Sequence, residues 1–551
     1  MGRRRRLKIL KEAGMTTKAH LNPVIASHLV EVKADDVPDT EIYIIERGDH
    51  GEDVLTYGSM DENANRMARM LLDNGIGKGD PFAVFMRNYP EFIYSLIAGT
   101  TIGAIMVPID PRSKGERLAF LLSNSRVKGA IVSGECLGQL EEVIGQVPEL
   151  KFTAVAYQRD QDMAVSSKYH SVNETLEASS WQRVDQGIMD VRHPMQIIYT
   201  SGTTGNPKGV TIRNNRTGLF NILNRLVWKY KKDDVLYNGL SLTHGNAQAV
   251  TLFPALALGI KAVFSPRFTR SRIWDICRRY DCTSFSMLGG MMAGVFNEPE
   301  KPDDADNPVR TVISAGTPAP IWEAFEKRFD VKILEWYGSV EGGFAYKPVG
   351  QGPVGSFGKP VPGVMEFKIV DDEDQQVAPG ETGELICRLL KGETKVDYLG
   401  KPEESEEKTR GGWLRTGDMV HRDEKGWYFF DYRRGSELRR SGDFIQPEYI
   451  ETVIGQHPDV SEVCVYGIPA SSGAPGESDL VMALSPFAGK KIDPASIYAM
   501  CKEKLEANFI PSWLQLVHDI PKTLTEKPLA RVLKEDFQKG EGDIHKFEDY
   551  K

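Results

Sequence analysis

Apolar and polar positions follow two alternating rhythms along the first part of the chain. Ala64, Met67, Ala68, Leu71 and Leu72 recur at the spacing of one helical face. Phe82-Ala-Val-Phe-Met86 then runs apolar without a break, as a buried strand does. Residues 91–101 return to helical spacing, and Ala104-Ile-Met-Val107 predicts the next strand, closed by Pro108. The same rhythm recurs between residues 234 and 332, and strand–helix alternation of this kind predicts doubly wound parallel sheets. From Gly350 to Tyr428 the pattern shortens. Gly355, Gly358, Gly363, Gly380 and Gly383 punctuate short strands such as Glu366-Phe-Lys-Ile-Val370, which predicts a small antiparallel barrel or sandwich. Residues 401–410 read as a charged, exposed loop. Beyond Arg433 a compact α+β pattern takes over. It holds a helix over 447–456 with Pro447 in its first turn, a strand over 460–468, and a helix over 495–508 whose Ile497, Met500, Cys501 and Leu505 face inward.

The expected fold class is therefore α/β. A large N-terminal domain of doubly wound sheets (21–432) carries a β-barrel-like part (350–430), and a small mobile α+β domain (433–551) follows. The boundary falls at about Tyr432 to Ser436. Residues 1–20 read as a basic tail: Met1-Gly-Arg-Arg-Arg-Arg6 has no apolar segment behind it, unlike a secretory signal. A formal net charge of −9 points away from a nucleic-acid partner, and no apolar run is long enough for a membrane span. Of the six cysteines only Cys277 and Cys282 lie close together, with no histidine partners. Buried free thiols in a cytoplasmic protein are expected rather than a zinc site.

The most informative segment is Tyr199-Thr-Ser-Gly-Thr-Thr-Gly-Asn-Pro-Lys-Gly209, placed directly after the apolar run Met195-Gln-Ile-Ile198. Gly202, Gly205 and Gly209 allow close backbone approach to a ligand. Thr200, Ser201, Thr203 and Thr204 add hydroxyl donors, and Lys208 adds a positive charge. A strand feeding such a loop suits phosphate, although the GxxxxGK[ST] pattern does not fit it. A flexible Ser/Gly linker is the plain alternative, and Lys208 and the glycine spacing argue against it.

The segment closely resembles the nucleotide-binding loop of the adenylate-forming superfamily, which comprises acyl-CoA synthetases, adenylation domains and luciferases. The order of later motifs is also similar, from about Leu55 to about Leu533. In Glu335-Trp-Tyr-Gly-Ser-Val-Glu341, the resemblance sets Trp336, Tyr337, Gly338 and Ser339 around the nucleotide, Tyr337 against adenine, with Glu341 holding magnesium. A lone carboxylate beside substrate phosphates suits magnesium. Most members have Thr before that Glu. Val340 stands here, which removes one hydrogen bond to the α-phosphate unless Ser339 compensates. Gly316, Thr317 and Pro318, within Ser314-Ala-Gly-Thr-Pro-Ala-Pro320, match the turn bordering adenine. Asp418, in Gly412-Trp-Leu-Arg-Thr-Gly-Asp418, matches the ribose ligand. Arg433 matches the arginine near the hinge, Gly435 the hinge itself, and Arg440-Ser441-Gly442 the loop toward the thiol tunnel. Lys527 matches the lysine that enters the site during adenylation, with Glu526 where a glycine is common. His244 matches a substrate-pocket position, and a loop histidine is the plain alternative.

The resemblance implies ligation of a small-molecule carboxylic acid to CoA in two steps, with ATP, Mg²⁺ and coenzyme A. The first step yields acyl-AMP and pyrophosphate, and the second passes the acyl group to the thiol. Thr200, His244, Glu341 and Lys527 are the expected catalytic set. Its flavour is that of crotonobetaine/carnitine-type and fatty acyl-CoA ligases. An amino-acid adenylation domain fits less well, because residues 241–249 lack an acid for an ammonium group. Loading of an acyl-carrier protein, and a non-catalytic nucleotide or acyl sensor on the same fold, are the alternatives. Oligomeric state, a homodimer included, stays open.

Overall fold

The computed structural model describes residues 21–157, 166, 168–200, 207–434, 438–440, 443–445, 447–471, 478–505, 507–522 and 528–550. The first 20 residues thus lie outside it. Helix Tyr57–Asp73 shows how local pattern becomes element. Thr56 caps it and exchanges hydrogen bonds with Ser59, while Ala64, Met67, Ala68 and Leu71 are fully buried. Helix Pro90–Ile102, with proline at its first turn, is buried along its whole length.

These helices cover a seven-stranded sheet. In spatial order its strands are His170–Ser171, Phe152–Ala156, Gly129–Ser133, Pro81–Phe85, Ile105–Ile109, Pro194–Thr200 and Lys208–Arg213. All pairs are parallel except the last, where Thr200 lies opposite Lys208. Pro108 does not close its strand as expected. It sits inside it opposite Val84, and the ladder to the other neighbour is only Met106 opposite Gln196, so a missing N–H there costs little.

A thirteen-stranded sheet forms the second layer. Its parallel half contains Val235–Asn238, Lys261–Phe264, Ser284–Leu288, Thr311–Ala315 and Lys332–Tyr337. The antiparallel half holds Ser356–Pro360, Tyr428–Arg433, Leu414–Arg422, Gly383–Leu389 and Met365–Val370. The short antiparallel strands expected over 350–430 are there, but they continue the large sheet and end at Met365–Val370 as an open edge. Segment 396–399 ties the two sheets together: Thr211 N–H donates to Asp397 O, and Leu399 N–H to Gly209 O.

Residues 402–408 correct another expectation. They form helix Pro402–Lys408, not a loop. Pro402 sits at its first turn, Glu403 and Glu404 complement the N-terminal end, and Lys408 the C-terminal end. The last region carries a four-stranded sheet, Val460–Pro469, Ser478–Pro486, Trp513–Leu516 and Asp543–Lys546, with helices Pro447–Ile454, Pro494–Lys504 and Ala530–Lys539. In Pro494–Lys504, Ile497 and Cys501 are buried as expected, while Met500 is only half-buried and Tyr498 fills the core instead. Arg270 Nη1 reaches Ser461 Oγ of this region at 3.1 Å. All six cysteines are free and buried.

Candidate active site

Most of the predicted residues that are described gather between the two large sheets. Thr200 ends one strand and Lys208 begins the next, with Thr200 Oγ1 3.4 Å from Lys208 O. The loop residues Ser201, Gly202, Thr203, Thr204 and Gly205 lie outside the described residues, as do Gly435, Ser441, Gly442 and Lys527. Lys208 Nζ pairs with Glu404 Oε2 at 2.6 Å and lies 5.1 Å from the centre of the Tyr398 ring. Tyr398 donates its hydroxyl to Glu341 Oε1 at 3.1 Å. Lys208 and Glu341 therefore share one neighbour, although Lys208 begins a strand of the seven-stranded sheet and Glu341 lies in a turn of the other layer.

A second group forms where Tyr337 leaves its strand. Its ring stacks on Phe357 at 4.7 Å, and its hydroxyl donates to Asp418 Oδ2. Asp418 lies opposite Arg433 across the ladder, and Arg433 Nη1 donates to Asp418 Oδ1 at 2.7 Å. The carboxylate is thus held at both oxygens, each with a lone pair left for a sugar hydroxyl. Burial alone would lower the Arg433 pKa, but Asp418, Tyr337 and Glu341 together raise it. Burial pushes Lys408 downward, opposed by Glu341 and Asp418, and its ammonium donates to Thr416 O at 3.3 Å.

Glu335, two residues earlier on the same face of the strand, organises the turn expected at adenine. Its carboxylate accepts from Gly316 N–H at 2.6 Å, from Thr317 N–H at 3.2 Å and from the Thr317 hydroxyl. Burial pushes its pKa up to about 7, against those hydrogen bonds and the nearby Lys347. Gly316 takes φ +79°, and a Cβ on Gly289 would stand 1.8 Å from Gly316 O. Only glycine at 289 lets the turn, which ends in Pro318, lie this close.

Trp336 packs away from this turn, stacked on Phe344 and edge-on to Trp228 at 5.8 Å. A Cβ on Gly338 would meet the Phe344 ring at 2.9 Å and the Trp336 ring at 3.0 Å. Ser339 uses its hydroxyl within its own turn: it donates to Gly342 O at 3.0 Å and accepts from Gly342 N–H at 3.2 Å. Its hydroxyl is therefore engaged within the turn. His244 is half-buried, and its Nδ1 accepts from Asn246 N–H at 3.1 Å. Its loop is held from behind, by Asn88 on Leu240 O and Leu242 N–H and by Gln248 on Leu242 O. Arg440 is not part of this group; it donates to Ile510 O in the C-terminal region.

The geometry fits a nucleotide with one divalent cation. Among the described residues no cluster of three or more metal-ligating side chains exists. Glu341, a carboxylate near Arg216, Lys408 and Arg433, is the donor that a magnesium ion shared with phosphates needs. Cys387 is the nearest thiol, 3.0 Å from a Cβ placed on Gly343, but it is buried and its pKa is pushed up to about 12. A thiol in that state is no nucleophile.

The description "AMP-binding enzyme" matches residues 30–390, and "AMP-binding enzyme C-terminal domain" matches residues 449–527. The chain belongs to the AMP-binding enzyme family. Curated relatives include the crotonobetaine/carnitine–CoA ligases of Salmonella paratyphi B and Salmonella typhimurium. Each is 27% identical over 488 residues, covering 87% of this chain and 93% of the relative. Among solved structures, an anthranilate CoA ligase in complex with anthranoyl-AMP superposes with a TM-score of 0.80 at 24% identity, covering 94% of this chain and 97% of that one. A benzoate CoA ligase from Burkholderia xenovorans gives 0.77 at 22%, covering 92% and 99%. These two likenesses establish the shared fold. The large sheets and the separate C-terminal region match those of these structures, and the C-terminal region carries the match to the AMP-binding enzyme C-terminal domain.

Proposed function

We propose that this member of the family is an ATP-dependent carboxylate–CoA ligase that forms an acyl-adenylate and then an acyl-thioester. The observation that carries the reading is the placing of Glu341 near three cations, with Asp418 and Tyr337 at one end and no reactive protein thiol. Such a site neutralises and aligns phosphates and does not attack them, which is what displacement at the α-phosphorus by a substrate carboxylate requires. The CoA ligases among the relatives support the same reaction.

In this reading Asp418 orients the ribose, Tyr337 and the Glu335-held turn bracket adenine, and Lys208 meets the terminal phosphates after leaving Glu404. Glu341 would hold magnesium, which when bound withdraws charge from the phosphate oxygens. Lys527 completes the adenylation site, and the acceptor thiol comes with CoA. The Trp228–Trp336–Phe344 stack favours an apolar or flat acyl group over acetate.

The deciding experiment is pyrophosphate release from MgATP across aromatic, alicyclic and medium-chain acids, with crotonobetaine and carnitine included, in the presence and absence of CoA. CoA-dependent turnover with one class of acid is expected. ATP binding with no acid-dependent release across the whole panel would overturn the ligase reading in favour of a sensor.

A further inference from the structure

We propose that Arg216 holds the α-phosphate of the nucleotide, taking over the contact that a hydroxyl at position 340 would make. The proposal deepens the ligase reading and rests on it for the chemistry, though not for its test. Position 340 carries Val340, which has no donor, and the neighbouring Ser339 hydroxyl is engaged with Gly342. The turn before Glu341 therefore offers no side-chain hydroxyl to a phosphate.

Arg216 lies against the backbone of that turn. It lies in the first turn of helix Asn215–Leu223, which follows directly on the strand that begins with Lys208. Its Nη2 donates to Val340 O, and its guanidinium lies over the Phe344 ring, 5.6 Å from the centre. The carboxylate whose field it feels is Glu341. Helix, aromatic ring and carbonyl thus fix the guanidinium beside residues 340 and 341.

Its bonding is incomplete. A guanidinium has five N–H donors, and the Val340 carbonyl takes one. Arg216 forms no ion pair with a described residue, although it is half-buried. The other cations of the site are occupied: Lys208 by Glu404, Arg433 by Asp418, and Lys408 by Thr416 O on the ribose side. A partly desolvated arginine without an anion is costly unless a ligand supplies one, and phosphate matches its planar fork. Burial brings its pKa down to about 10, so it remains charged at neutral pH.

The test is calorimetric binding of AMP and of adenosine to the full chain and to Arg216→Met, Arg216→Lys and the double variant R216M/V340T. Arg216→Met is expected to weaken AMP roughly 10- to 100-fold, the range of a charge-assisted hydrogen bond to a charged group, while adenosine binds as before. Retained adenosine binding also shows that the variant is folded. If Arg216→Met fails to fold, Arg216→Lys, which keeps the charge but loses the fork, should still weaken AMP selectively. The double variant should recover part of the lost AMP affinity. Unchanged AMP affinity, equal loss for AMP and adenosine, or no recovery in the double variant would each overturn the proposal. Neither ligand requires an acid or CoA. The outcome is therefore independent of whether acid-dependent pyrophosphate release is found.

Discussion

At the scale of single residues, two carboxylates of the proposed site sit in different electrostatic settings. Glu335 is buried and its pKa lies near 7, well above the ordinary glutamate value of 4.5. The folded state holds its proton more tightly than the unfolded chain does. Its contribution to stability is complete below about 4.5 and is lost as pH rises through about 7. Denaturant unfolding of Glu335→Gln at pH 5 and pH 8 should show a flatter pH dependence than the parent. The difference should be on the order of 3 kcal/mol, since each pKa unit corresponds to ~1.4 kcal/mol. An identical slope in both proteins would remove Glu335 as the titrating group. Glu341 is poised differently, half-buried with Tyr398 as its donor. Glu341→Gln should cut pyrophosphate release roughly 10²- to 10³-fold, as loss of other groups that stabilise transition-state charge does. Adenosine binding should persist, because the Asp418–Tyr337 end is separate; loss of adenosine binding in this variant would show a structural role instead.

Among elements, helix Pro402–Lys408 is the one whose function emerged only from the fold. Its charge run looked like a solvated loop, yet Pro402 and two glutamates at its start are also what a helix N-terminus accepts. In the proposed site, Glu404 on this helix would compete with a phosphate for Lys208. Both partners are more than a third exposed, at 37% and 41%, so the pair contributes about 0–1 kcal/mol. Glu404→Gln should therefore lower the KM for ATP by no more than about fivefold, measured in the pyrophosphate assay. A raised KM would mean that Glu404 positions Lys208 rather than restrains it. The strands and helices of the parallel halves were readable because each buries a continuous apolar run or a helical face, as in Pro81–Phe85 and Tyr57–Asp73. Pro108 was misread because a strand neighboured fully on one side tolerates a missing donor. Tyr337, Asp418 and Glu341 could be found through their motifs. The contacts of Tyr398, Glu404 and Arg216 could not, because they join segments far apart in sequence, such as Tyr398 with Glu341.

At the scale of the whole molecule, a large two-sheet body meets the C-terminal region at Arg270 and Ser461. Lys527 belongs to the second region. If it serves only the first half-reaction, Lys527→Ala should slow adenylate formation roughly 10²- to 10³-fold and spare thioester formation from supplied acyl-AMP. Equal loss of both steps would remove that assignment. The six buried cysteines bear on how the distance between the two regions can be measured. Burial raises the pKa of Cys136 to about 11 and those of Cys387 and Cys501 to about 12, so their thiolate forms are scarce at neutral pH. Maleimide dyes attack thiolates. A cysteine introduced on the exposed face of each region would be labelled ahead of the native six. A donor–acceptor fluorophore pair could then report interdomain distance in a protein that keeps all of its natural residues elsewhere.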